Sequence, residues 1–135
     1  MNQLQTGLAR LVALAKNDPR YKVEAYIFVI EAMNYELEHL GINGPSKRRH
    51  VSARELLDGI RSLGWERYGR LAKDVFESWG VRNTLDFGEI VFNLIGIGEF
   101  SKTDEDSKDD FVDVFDFNQG LVEAYPLGDA RQAKA

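Results

Sequence analysis

Cysteine is absent from the chain and histidine occurs only twice in 135 residues. The first absence removes disulfides, thiolate zinc sites and cysteine nucleophiles together, and it suits a reducing compartment. Long apolar runs are missing as well: nothing approaches the ~18–20 residues that a membrane-spanning helix requires. The N-terminal MNQLQTGLARLVALAK lacks the sequence of charged start, continuous apolar run and small-residue cleavage site that marks a secretory signal. These absences set the expectation of a cytoplasmic protein with no membrane partner. Acidic residues outnumber basic ones, 22 to 17. A net charge of -5 and a pI near 5.1 argue against coating nucleic acid or anionic lipid through global charge.

What is present reads as one helical domain. With 44% hydrophobic residues the chain can bury a core without metal or disulfide support. Leu4, Leu8, Leu11, Val12 and Ala15 recur at helical spacing, and Asn17-Asp18-Pro19 ends that first helix with Asp18 as a candidate N-cap for the next. A second helix, about 21–40, is apolar around most of its circumference, as in a central post, and Gly41 with Asn43-Gly44-Pro45 reverses the chain. Ser52 opens a third helix through a capping box with Glu55, and Gly64 is its expected stop. A fourth is expected over Trp65–Trp79, closed by Gly80. A fifth follows, with Thr84 or Asp86 as cap, inward Phe87, Ile90, Val91, Leu94 and Ile95, and a stop at Gly96 and Gly98.

The alternation in Phe111-Val112-Asp113-Val114-Phe115-Asp116-Phe117, paired with 99–102 across an acidic loop, predicts a C-terminal two-stranded β-hairpin at about 99–117. The expected fold is therefore mainly α: a compact five-helix domain over 1–125 with that hairpin, in an order that resembles a winged helix. A helical turn at 121–125 and a flexible tail over 126–135 complete it.

Several stretches carry a further likeness: Asp18-Pro19-Arg20-Tyr21 leading into EAYIFVIEA, HVSARELLDGIR, WGVRNTLDFGEIVFNLI and SKTDEDSKDDFVDVFDF. On these the chain, up to Phe117, resembles a small family of conserved bacterial proteins of unknown function known mainly from planctomycete and verrucomicrobial lineages. Gly64-Trp65 departs from the helix-favouring residues expected there. The resemblance implies a compact bacterial cytosolic domain and transfers no catalytic residue.

Motifs for chemistry are few. His39 falls at the C-terminal end of the second helix, where a cation suits the dipole. His50 stands beside Ser52, but no G-x-S-x-G elbow supplies an oxyanion hole, and Ser52 reads as a helix cap. Gly96-Ile97-Gly98 closes a helix, whereas phosphate loops open one, and no Walker motif occurs. The acidic run 104–110 fails the EF-hand pattern at Lys108, Asp109 and Phe115, and reads as a solvated loop. Asp113 and Asp116 interrupt an apolar strand, either as its solvent-facing positions or as partners for Arg48, Arg49 or Arg82. No catalytic residue, metal ligand or cofactor is assigned, and an enzyme is not expected.

Charge is segregated: a basic middle containing Lys47, Arg48, Arg49, Arg54, Arg61, Arg67, Arg70 and Lys73 precedes an acidic remainder. A winged-helix nucleic-acid binder would use that basic middle, but its recognition helix would expose Asp86 and Glu89 and its wing tip would be acidic, so phosphate is repelled where contact is needed. The favoured expectation is a non-catalytic adaptor that binds an unidentified protein partner or itself. Its candidate interaction residues are Arg48, Arg49, His50, Arg54, Asp113 and Asp116.

Overall fold

The computed structural model describes residues 3–42, 44 and 49–126, with side chains from residue 7 onward. Arg48, Lys47 and the stretch 127–135 lie outside the described residues. Among the described residues there are five α-helices: α1 (Gln3–Asn17), α2 (Val23–His39), α3 (Ala53–Tyr68), α4 (Ala72–Ser78) and α5 (Thr84–Gly96). Short 3₁₀ turns cover Gly69–Leu71 and Lys108–Phe111, and a π-helical turn covers Asn118–Glu123.

α2 is the central post, packing against α1, α3 and α5 and burying Ala25, Tyr26, Phe28, Val29 and Ala32. Around Phe28 the core is aromatic. Its ring lies 5.2 Å from Phe76 and 5.4 Å from Trp79, and Phe76 meets Phe87 edge-on at 5.2 Å.

Local chemistry sets most helix ends. Ser52 and Glu55 form the expected reciprocal capping box, with Ser52 Oγ accepting from the Glu55 N–H at 3.1 Å. The cap of α5 is Asn83, whose Oδ1 accepts from the Asp86 N–H at 2.9 Å, rather than Thr84 or Asp86. Asp18 does not cap α2 either; Lys22 occupies that position without a side-chain bond, and Asp18 turns to Arg20.

The expected stop at Gly64 and the single helix expected over Trp65–Trp79 are corrected as well. α3 runs through Gly64 to Tyr68, and the break falls at Gly69, whose φ of 58° suits glycine. Gly64 is buried where a Cβ would stand 2.8 Å from Phe76 Cζ, so its role is to let α4 approach α3.

The larger correction concerns the C-terminal hairpin: among the described residues there is no β-strand, so the winged-helix likeness falls with it. Over 99–117 the backbone groups are spent in turns. Ser107 and Asp110 form a second capping box on Lys108–Phe111, and Asp113 turns the chain at φ 50°. Buried Thr84 receives the segment, its hydroxyl donating to the Phe111 carbonyl at 2.6 Å and accepting from the Val114 N–H at 3.1 Å. Phe111 and Phe117 reach the core from these turns, not from one strand face.

Candidate functional site: an apolar groove beside His50

The densest polar cluster is the corner where residues 18–21 meet α5. Arg20 grips Asp18 through two bonds, of 2.9 and 2.7 Å, and Asn93 donates to Asp18 Oδ2 at 2.9 Å and to the Tyr26 hydroxyl at 3.0 Å. The Tyr21 hydroxyl donates to Asp86 Oδ1 at 2.6 Å, and the Arg82 N–H to Asp86 Oδ2 at 2.8 Å. Glu89 takes Lys108 at 2.8 Å and Arg20 at 3.6 Å. The Arg20 guanidinium, aided by Asn93, outweighs desolvation and holds the Asp18 carboxyl well below the usual carboxylate range. Burial, reinforced by Asp86, pushes the Tyr21 hydroxyl far up. Each carboxylate here is engaged, so the corner is a staple between the α1–α2 turn and α5.

The chemistry on the other flank is different. α2 presents Ile30, Met33, Asn34 and Leu37 at helical spacing, and the chain returns past them twice, as Arg49-His50-Val51 and as Glu99-Phe100-Ser101. Between them lies a groove of about 490 Å³. A smaller cavity of about 40 Å³ adjoins it, sharing Met33, His50, Val51, Phe100 and Ser101 and reaching Leu56 and Val91. Apolar carbon forms the floor, and Arg49, His50, Asn34 and Glu99 supply the polar positions.

His50 latches one wall. Its Nε2 lies 2.7 Å from Asp106 Oδ2, which also accepts the Thr103 N–H at 2.7 Å. Burial alone would raise the Asp106 carboxyl; the Thr103 N–H and the imidazole outweigh it and hold it low. Arg49 forks onto Glu55 with bonds of 3.0 and 2.8 Å, which helps to depress Glu55 to about 2, yet the Arg49 side chain keeps half of its surface exposed. On the next rim Arg10 meets Glu99 at 3.2 Å.

The structure gathers only part of the expected set. Arg49 and His50 line the groove, and Arg54 stands exposed in the first turn of α3 without lining it. Asp113 and Asp116 are both exposed, Asp113 as a turn residue and Asp116 accepting the Gln119 N–H at 3.0 Å to start the last helical turn. They are not a buried acid pair. Among the described residues no group of three or more histidine and carboxylate side chains is placed to hold a metal ion, the acidic run 104–110 included. No described helix is long and apolar enough to cross a membrane.

Sequence reading missed Met33, Asn34, Leu37 and Phe100 as a shared surface. Their signal was present: Ile30, Met33 and Leu37 extend the apolar surface of α2 beyond the residues it buries against its helix neighbours. The Ser107-x-x-Asp110 spacing, identical to that of Ser52-x-x-Glu55, announced the turn that replaces the strand.

The chain matches no protein-family model, no curated protein and no solved structure.

Proposed function

We propose that the protein is a non-catalytic interaction module of the bacterial cytosol that receives an apolar side chain of a protein partner in the groove beside His50. The observation that carries this reading is the groove itself: a cleft of about 490 Å³ with an apolar floor, next to which every strong polar cluster is internally satisfied. Exposed Arg54 beside it, with the half of the Arg49 side chain that its pair with Glu55 leaves exposed, fits acidic residues flanking the partner's apolar anchor. A hydrolytic reading finds less support. Ser52 Oγ and Ser107 Oγ next to the His50–Asp106 pair accept backbone N–H groups as helix caps.

Nucleic-acid binding through the basic middle loses support. There is no wing among the described residues, and several of the middle cations are already engaged: Arg67 binds Glu31 at 2.7 Å, Lys73 binds Glu77 at 3.2 Å, and Arg61 lies over Trp65 and Phe115 at 4.9 and 5.0 Å. Affinity capture from a lysate of the source cell, with and without nuclease, tests the proposal. The expected result is a protein retained after nuclease and released from bait carrying Arg49→Glu with Arg54→Glu. Material lost on nuclease treatment would replace the adaptor with a nucleic-acid binder.

A further inference from the structure

Among its described side chains, from Gly7 onward, α1 is covered on one side. Leu11 is buried and Leu14 half-buried against the core, whereas Leu8 and Val12, one turn apart on another face, stand 48% and 37% exposed. From Val12 this strip continues into a shallow cavity of about 360 Å³ floored by Ala15, Pro19 and Val23 and edged by Lys16, Lys22 and Glu24. No residue is shared with the lining of the groove beside His50. α1 itself contains no acidic side chain, and Arg10 is already committed to Glu99, so the free charge along the strip is mainly that of Lys16 and Lys22.

We infer that this strip is a second docking surface, and that its occupant is an amphipathic helix of another protein with leucine-type knobs on one face and acidic residues flanking them. Charge selects that occupant: Lys16 and Lys22 outnumber Glu24 along the shallow strip, which suits acidic residues flanking an apolar ridge. Pairing α1 with α1 of a second copy would set the lysines against a helix bearing only cations, with the single Glu24 of each copy to offset its partner's Lys16 and Lys22. An acidic helix places its apolar ridge on Leu8, Val12 and Ala15 and its carboxylates on the two lysines. With the groove beside His50, the domain would then hold two partners at once.

Fluorescence anisotropy tests the surface with a synthetic helical peptide carrying leucine at the a and d positions of each heptad and glutamate on the flanks, beside the same peptide with lysine flanks. The glutamate peptide is expected to bind, its affinity falling about tenfold or more on Val12→Asp and weakening on Lys16→Glu with Lys22→Glu. The lysine peptide is expected not to bind. Lys16 and Lys22 are exposed, so the charge-reversed variant stays informative even if Val12→Asp fails to fold. The inference is overturned by unchanged affinity in both variants, by equal binding of the lysine peptide, by a dimer in sedimentation that Val12→Asp dissolves, or by protein that ignores the peptide and co-sediments with phosphatidylglycerol vesicles.

Discussion

The two flanks of α5 use their side chains in opposite ways. On one, Asp86, Glu89 and Asn93 are bound to residues 18–26, Arg82 and Lys108, and each polar group has a named partner. On the other, Val91, Phe92 and Ile95 face a small cavity that opens past Phe100 toward the larger groove. A satisfied polar network fixes geometry and has little left to offer a ligand. An apolar cleft with room in it has not yet spent its binding energy. The corner therefore serves the fold, and the groove is where we propose recognition, even though the corner holds more of the residue types usually associated with chemistry.

Substitutions on the corner and its supports are expected to cost stability. The largest effect falls at Gly80, where φ is 96° and an added Cβ would collide with the Arg20 carbonyl; Gly80→Ala is expected to cost about 3 kcal/mol in denaturant unfolding. Thr84→Val removes a buried hydroxyl bonded to both Phe111 and Val114, at an expected cost of about 2 kcal/mol. Asp18→Asn is expected to lose about 1 kcal/mol at neutral pH. Because the folded carboxyl titrates below its ordinary value of 3.8, Asp18 contributes fully above that pH and progressively less as pH falls below it. The variant's deficit should shrink in acid, and a constant deficit would remove Asp18 from the network.

Glu36 makes the opposite prediction. It is buried against Gly59, and burial, with Asp58 and Glu55 adding to it and His39 opposing, raises its carboxyl above 4.5. Stability is then highest where it is protonated and declines as pH rises from its ordinary value toward the raised one. Glu36→Gln is expected to gain about 1 kcal/mol at pH 7 and to flatten that decline in thermal melts across the acid range. Smallest of all, Asn34→Trp, at an exposed position on the groove wall, should change stability by less than about 0.5 kcal/mol.

Much of the helical frame was legible because its signals are local. The capping box at Ser52, the glycine at Gly41 and the spacing of Phe87, Ile90, Val91 and Leu94 act within a turn or two of chain. The hairpin was misread because the alternation over 111–117 has two physical causes. Alternating side chains mark a strand only when another strand takes up the backbone bonds, and here Thr84 and the turn at Ser107–Asp110 take them instead. Gly64 misled in the same way: its missing Cβ serves a neighbour distant in sequence, Phe76, so it reads as a helix stop until α4 is in place. His50 and Arg49 were legible as candidates, but the wall that completes the groove comes from α2 and Phe100, and only the fold brings those segments together.

The most direct measurement compares nuclease-treated captures by three baits: the native chain, Asn34→Trp in the groove, and Tyr21→Phe in the corner. If recognition resides in the groove, the native chain and Tyr21→Phe retain the same protein partner, Tyr21→Phe despite a lowered melting temperature, while Asn34→Trp melts like the native chain and loses it. Retention by Asn34→Trp with loss from Tyr21→Phe would contradict the assignment and place recognition on the corner.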